Sequence, residues 1–344
     1  MLRVGIIGAG IMAAGHAEVL AAHPDAVVTA VASRTRHSAE RLAASTSANP
    51  AVFDDADALI ASGQVDAVSI TTPDPLHAEM MVAAAKAGLH ILVEKPFTTD
   101  VPGADAAAAA IKDNDVRAMC LFNHRWVPAY AQAKQRMAEI GQPVVGYARK
   151  DDTIFVPTEM ISWAQSTTCA WFLSSHDIDL MTWLMDDQIT RVYATARYGR
   201  LRRSGIDTPD AIQIQAQFSR GAIATFESAW IYPNTFPTVV DSYVTVAGEQ
   251  GVIQLDRQKE GITIATEQAY AYPRNMLQRV VHGQPAGAYR DAIHHFVDCA
   301  RSGAQPLVSV ASSRHVTAVL AAAHESIACA APVDVAPDPL EALR

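Results

Sequence analysis

The feature that most constrains this chain stands at its beginning. An apolar run in MLRVGIIGAG leads straight into Gly8-Ala9-Gly10-Ile11-Met12-Ala13, a G-x-G-x-x-A pattern. Alone the pattern is weak. Here it follows a strand and opens a helix, the setting in which each small residue has a task. Gly8 permits a tight turn, Gly10 lets backbone approach a pyrophosphate at the helix N-terminus, and Ala13 lets the helix pack close to the strand. Gly8, Gly10, Ile11 and Met12 are therefore candidate cofactor contacts. The alternative is a glycine-rich turn with no ligand.

The pattern continues downstream. β-rich runs at 4–7, 27–32, 67–71, 90–93 and 118–122 alternate with alanine-rich helical stretches at 12–22, 35–44, 76–87 and 101–114. The runs are nearly all apolar, as strands covered on both faces must be. Residues 1–124 thus predict an α/β dinucleotide-binding domain, a doubly wound parallel sheet of the Rossmann type. Beyond residue 125 come two helices, then longer alternating runs at 190–198, 211–218, 222–232, 242–247 and 251–256, joined by Gly, Pro and Asp. Residues 125–344 predict a C-terminal α+β domain with a large, mostly antiparallel open sheet. Segments 288–302 and 311–331 read as helices returning to pack on the first domain. A chain of 344 residues fits two domains.

Composition excludes several classes of function. The net charge is −9, without a basic stripe, so no nucleic-acid partner is expected. Cys120, Cys169, Cys299 and Cys329 are far apart and form no C-x-x-C pattern, which predicts neither zinc nor a disulfide framework. Adjacent His294 and His295 on a helix point apart, so no metal is expected there either. The N-terminal apolar run is a few residues long and meets glycines, as a strand does and a signal peptide does not. No run of about 18 apolar residues occurs, so no membrane span is expected and a cytoplasmic location follows as the simplest reading.

Ligands in open α/β sheets sit beyond the strand C-ends, so residues there are the candidates. The second strand ends in Ser33 and Arg34, where an acid would hold the ribose 2′-hydroxyl of NAD. A hydroxyl and a guanidinium suit a 2′-phosphate, which favours NADP(H). NAD(H) stays possible, because Arg34 stacked on the adenine would tolerate either. Thr71, Thr72 and Pro73 line the cofactor in the same way. His77, in the first helical turn, either faces the cofactor or lies on the surface. Glu94 and Lys95 end another strand before Pro96. Taken alone they are a solvated ion pair at a turn; on a dinucleotide fold the lysine is aimed at nicotinamide, with Glu94 as its support. Asn123 would approach nicotinamide, and Arg125 would bind cofactor or brace a domain interface.

GAGIMA, TTPDPLH, AGLHILVEKPF and SSHDIDLMTWL, in this order and spacing, resemble the Gfo/Idh/MocA oxidoreductases over nearly the whole chain. The resemblance implies that Lys95 contacts nicotinamide and substrate, and that His176 serves as acid/base. The family often carries an aspartate four residues before that histidine. Phe172 stands there in this chain, a departure that bears on any histidine–carboxylate relay. Asp179 matches the family pattern and orients substrate or His176, or is a helix N-terminal acid favoured by the macrodipole. Lys150 and Trp163, just before the histidine segment, join Lys95, Phe172, His176 and Asp179 as substrate candidates. Family members often pair through the second-domain sheet, and the strand AIATFESAW has an outward face suited to this, so a homodimer or homotetramer is expected.

The expected reaction is hydride transfer between nicotinamide and a sugar, polyol or related hydroxylated or carbonyl compound. Two rivals share the fold: a glycosidase that retains NAD, and a non-catalytic NAD(P)-binding sensor. The first requires retained nucleotide. The second is favoured by loss of Lys95 or His176, and both are present.

Overall fold

A computed structural model describes residues 1–339. The chain forms two compact units, Met1–Trp126 with Gln278–Arg314, and Val127–Leu277 with the chain from His315 onward.

The first unit is built on a six-stranded parallel sheet. Its strands are β1 (Leu2–Ile7), β2 (Ala26–Ala32), β3 (Ala51–Phe53), β4 (Ala67–Ile70), β5 (His90–Val93) and β6 (Ala118–Cys120), in the order β3-β2-β1-β4-β5-β6. The order reverses between β1 and β4, which makes the crevice beyond their C-ends the topological switch point. Helices α1 (Ile11–Ala22), α2 (Arg36–Ala44), α3 (Ala56–Ile60), α4 (His77–Lys86) and α5 (Val101–Asp113) connect the strands. Asp100 starts α5 by accepting the Gly103 N–H at 2.6 Å, with Pro102 in the first turn where no N–H is needed. The short pieces β3 and α3 escape the sequence reading, since three half-buried residues carry no periodicity. The expected strands at 67–71 and 118–122 stop earlier, at Ile70 and Cys120, and Asn123–Trp126 forms a 3-10 turn. The helix Ala288–Ser302, one face of it buried, belongs to this unit.

The second unit begins with α6 (Pro128–Arg136). Its sheet contains β7 (Pro143–Thr153), β8 (Ile189–Arg197), β9 (Ala211–Phe218), β10 (Ile223–Tyr232), β11 (Val240–Gly248) and β12 (Val252–Asp256), with the two-residue strand Val333–Asp334 at one edge. The order β12-β11-β7-β10-β9-β8 is antiparallel except for the β7–β10 pair. β7 is central yet absent from the sequence reading. Near its end it carries Arg149-Lys150-Asp151-Asp152, a charge run typical of a loop, but Lys150, Asp151 and Asp152 are at most 3% exposed. Helix α7 (Ser175–Met185) lies against β7, where a Cβ on Gly146 would come within 2.9 Å of Met181 Sδ. The helix Val310–Cys329 begins in the first unit and has its body in the second. No described helix is long and apolar enough to cross a membrane.

Candidate active site

The glycine turn is shaped as its sequence requires. Gly8 has φ +105°, and a Cβ there would lie 2.8 Å from the Thr71 carbonyl oxygen, so only glycine fits. Thr71 Oγ1 donates to the carbonyls of Ile7 at 3.2 Å and Gly8 at 3.3 Å, tying the ends of β1 and β4 together. A Cβ on Gly10 would meet nothing within 4 Å. No side chain caps α1 and no acid stands in its first turn, so its N–H groups and dipole face open space. Ile11 and Met12 are exposed beside this opening, and Ala13 is buried against the sheet. These residues fit a dinucleotide pyrophosphate.

Beyond β2, Ser33 is half-buried and accepts the Thr35 N–H at 3.3 Å, while Arg34 is exposed. Arg36, close by in sequence, is committed to Glu40 and Asp54, each at 3.0 Å. Thr72 and Pro73 are half-buried after β4. His77 is fully buried, not a surface residue: Nδ1 lies 2.8 Å from the Pro96 carbonyl and Nε2 3.0 Å from that of Thr72. It therefore clips the loop after β4 to the loop after β5.

Lys95 is half-buried at the end of β5, before a cis Lys95–Pro96 bond. Glu94 beneath it is buried. Its Oε1 lies 2.9 Å from His16 Nε2 and accepts the Tyr289 hydroxyl at 2.9 Å; its Oε2 accepts the Lys95 N–H at 3.2 Å. Burial pushes this carboxyl up, but the His16 bond, attraction to His16 and Lys95, and the Tyr289 bond together hold it below the usual carboxylate range. Asn123 is buried, and its Oδ1 accepts no protein hydrogen bond. Arg125 is buried and donates to the Leu307 carbonyl at 2.9 Å and to Ser312 Oγ at 3.4 Å, bracing the first unit internally.

In the second unit, a π-helical turn at Ala170–Ser174 leads into α7, which carries His176, half-buried, and Asp179, fully buried. Phe172 sits between Trp163 at 6.2 Å and Trp230 at 5.6 Å between ring centres. Lys150 is buried and donates to Asp177 Oδ1 at 2.7 Å and Ser242 Oγ at 3.3 Å. Burial lowers Lys150 to about 8, against the attraction of Asp177, and burial raises Asp177 in spite of Lys150. Nearby Asp151 accepts the Tyr232 hydroxyl at 3.0 Å and is pushed by burial up to about 7. Lys95 and His176 belong to different units.

Sequence reasoning missed His16, Ser69 and Tyr289 around Glu94, and Asp177 opposite Lys150. His16 lies eight residues after Gly8 on the face of α1 whose Ala13 and Ala17 are buried, a positional hint; Tyr289 offers no local signal. The adjacent histidines do point apart, His294 Nε2 to the Val19 carbonyl and His295 Nε2 to the Leu307 N–H.

A parallel sheet whose order reverses beside an uncapped, glycine-opened helix, with a lysine at a neighbouring strand end, defines a nucleotide-binding α/β protein of the oxidoreductase type. Comparison with known proteins carries this further. Residues 2–122 match the model for the oxidoreductase family with an NAD-binding Rossmann fold, and residues 130–254 match the Gfo/Idh/MocA C-terminal domain. The chain belongs to the Gfo/Idh/MocA oxidoreductase family. It is similar to scyllo-inositol 2-dehydrogenase (NAD(+)) of Bacillus subtilis, with 28% identity covering 90% of this chain and 89% of that one. It is also similar to D-xylose 1-dehydrogenase (NADP(+)) 2 of Haloferax volcanii, with 27% identity covering 83% and 85%. Among solved structures, scyllo-inositol dehydrogenase of Lactobacillus casei with NAD(H) and scyllo-inositol shares the fold at TM-score 0.84 and 20% identity, covering 98% of this chain and all of that one.

Proposed function

We propose that this protein is an NAD(P)-dependent dehydrogenase acting on a CH–OH or C=O carbon of a polyol or sugar. The observation that carries the reading is Lys95, half-buried at the C-end of β5 on the ligand side of the parallel sheet, clipped on both flanks by buried groups. The names of the inositol and xylose dehydrogenases to which the chain is similar support the substrate class. The bound nicotinamide supplies hydride acceptance and donation. The first turn of α1, with Gly8, Gly10, Ile11 and Met12, holds the pyrophosphate; Ser33 and Arg34 hold the adenosine ribose; Thr71, Thr72 and Pro73 line the crevice. Lys95 stabilises the alkoxide that forms at the reacting carbon through a preorganised hydrogen bond. His176 takes or returns the hydroxyl proton, the task for which imidazole is suited near neutral pH. Half-buried Trp163 and Phe172 present an apolar wall to the C–H face of a sugar ring, with fully buried Trp230 packed against Phe172 and Asp179 as an orienting acid. Lys150, a substrate candidate by sequence, is buried and engaged with Asp177 and Ser242 instead.

Ser33 and exposed Arg34 favour NADP, with NAD as the second reading because relatives of both kinds occur. Along β10 exposed Ile223 and half-buried Thr225 and Glu227 alternate with buried Ala224, Phe226 and Ser228, which supports pairing of copies through this sheet. No disulfide joins any of the four cysteines, in keeping with a reducing cytoplasm. The test is a panel of inositols, aldoses and uronates read by nicotinamide absorbance, run separately with NADP and NAD. Turnover of none of them, despite nucleotide binding, would turn the reading toward a sensor; sedimentation as a monomer would remove the pairing.

A further inference from the structure

We propose that Ser69, His16 and Tyr289 form a buried positioning relay that fixes Glu94 and, through it, the aim of Lys95. The inference rests on the dehydrogenase reading above for what Lys95 does, but its geometry stands apart from it. Ser69 Oγ lies 2.6 Å from His16 Nδ1, and His16 Nε2 lies 2.9 Å from Glu94 Oε1. Tyr289 closes the chain from the helix Ala288–Ser302.

The donors can be assigned by chemistry. An ionised carboxylate only accepts, so the His16 Nε2–H donates a hydrogen bond to Glu94, and the Tyr289 hydroxyl does the same. At the other ring nitrogen, Nδ1, the Ser69 hydroxyl is a partner in either state of the ring, since a hydroxyl both donates and accepts. Every member has a partner, and burial drives the Tyr289 hydroxyl well above its ordinary range, which keeps its proton in place as a donor. The serine, histidine and glutamate have the spacing of a hydrolytic triad. Ser69 and His16 are completely buried, however, so no substrate reaches the hydroxyl and nucleophilic work is excluded.

The relay acts on Lys95 in two ways. Glu94 Oε2 accepts the Lys95 N–H, which fixes the backbone from which the side chain leaves. The carboxylate also places a negative charge beside the Lys95 ammonium. On the other flank, His77 holds the Pro96 carbonyl. The backbone of the Glu-Lys-Pro segment is therefore held on both flanks of Lys95. Because His16 rides on α1, the helix that opens on the pyrophosphate turn is joined to the residue that serves the nicotinamide end. The groups facing Glu94 are His16 from α1, Tyr289 from the C-terminal helix, Lys95 next in the chain, and Cys120 Sγ, 3.8 Å from the Glu94 carbonyl.

Tyr289→Phe is the cleanest test, since it removes one hydroxyl and little volume. The expected result is a fall in kcat of about 10-fold or more, as misplacement of a reacting group brings. KM for the cofactor should stay within about twofold, because the pyrophosphate turn is untouched. The acid limb of kcat should move to higher pH, since Glu94 loses a donor that kept it ionised. His16→Gln, which retains an N–H toward Glu94, should keep more activity than His16→Leu. A merely structural role would lower the melting temperature and leave kcat and its pH profile alone; that outcome overturns the relay. A second readout needs no substrate: labelling of Lys95 by an amine-directed reagent, followed by peptide mass, should quicken in Tyr289→Phe, and an unchanged rate also overturns it. Absence of turnover in the parent protein would instead count against the dehydrogenase reading, while the labelling experiment would still decide the relay.

Discussion

Two regions of the molecule, the surroundings of Lys95 in the first unit and of Lys150 in the second, treat buried carboxylates in opposite ways. Glu94 of the first unit is held below its usual range, whereas Asp177 and Asp151 of the second are pushed above theirs. Burial is the largest influence on all three and always raises them. A nearby cation does not separate the cases, since Asp177 has Lys150 at 2.7 Å. The number of hydrogen bonds does. Glu94 accepts from His16, Tyr289 and the Lys95 N–H. Asp177 Oδ2 and Asp151 Oδ1 are buried and accept none from the protein. A carboxylate stays charged inside a protein when its lone pairs are met, and one opposite charge does not replace those bonds. The satisfied acid lies beside the proposed catalytic lysine; the unsatisfied ones lie on strand β7 and helix α7 of the second unit.

The largest expected effect tests what the satisfied acid serves. Lys95→Met should lower kcat by about a thousandfold, the scale of a lost preorganised donor. Nucleotide affinity, measured by calorimetric titration, should change only a few-fold. Survival of turnover would make the Glu94 relay structural and empty the contrast of functional meaning.

The next effect falls on the second unit. Lys150→Met leaves Asp177 without its cation in a dry site, and should destabilise folding by about 3–5 kcal/mol in urea titration. Adding Asp177→Leu should recover most of that loss, because two apolar groups need no hydrogen bonds. Equal stability of Lys150→Met and parent would show that Asp177 is already neutral, which would sharpen the comparison to a single charged acid.

How far this contrast could be read beforehand differs between the units. The Glu-Lys-Pro segment and the glycine turn announce themselves because their neighbours are local: a strand before, a turn after. Glu94 was legible as a support, but its partners were not, since His16 lies 78 residues away and Tyr289 195 away in the chain. A run of four charges hid β7, because alternation fails where both sheet faces are lined with paired ions. Phe172 was visible as a departure, yet only packing shows that Trp163 and Trp230 surround it.

Asp151 supplies a pH signature of intermediate size. Its pKa rises from the ordinary carboxylate value to about 7 in the fold. Between about pH 4 and 7 the native state therefore binds more protons than the unfolded chain. The stabilisation is fully present below that window and is lost as pH rises through 7, amounting to a few kcal/mol at most. Asp151→Asn should flatten this slope in thermal melts taken across the window. A parent protein that gains stability steadily from pH 4 to 7, with the variant behaving identically, would place Asp151 among the satisfied acids.

The smallest effect isolates one hydrogen bond on each side of the contrast. Tyr232→Phe removes the single hydroxyl that Asp151 accepts, as Tyr289→Phe removes one of three donors from Glu94. At pH 5 Asp151 is protonated and its neutral partner is worth about 1 kcal/mol. Above pH 8 the acid is ionised, and the same hydroxyl stabilises a charge, worth about 1.5–3 kcal/mol. The loss in Tyr232→Phe should therefore grow with pH. Tyr289→Phe should show the reverse trend over this range, because Glu94 is already ionised at pH 5 and its loss is greatest wherever weakening lets the proton return. Urea titrations of both variants at the two pH values give the answer. Parallel losses would mean that both acids carry the same charge throughout, and donor number would then fail as the cause of their difference.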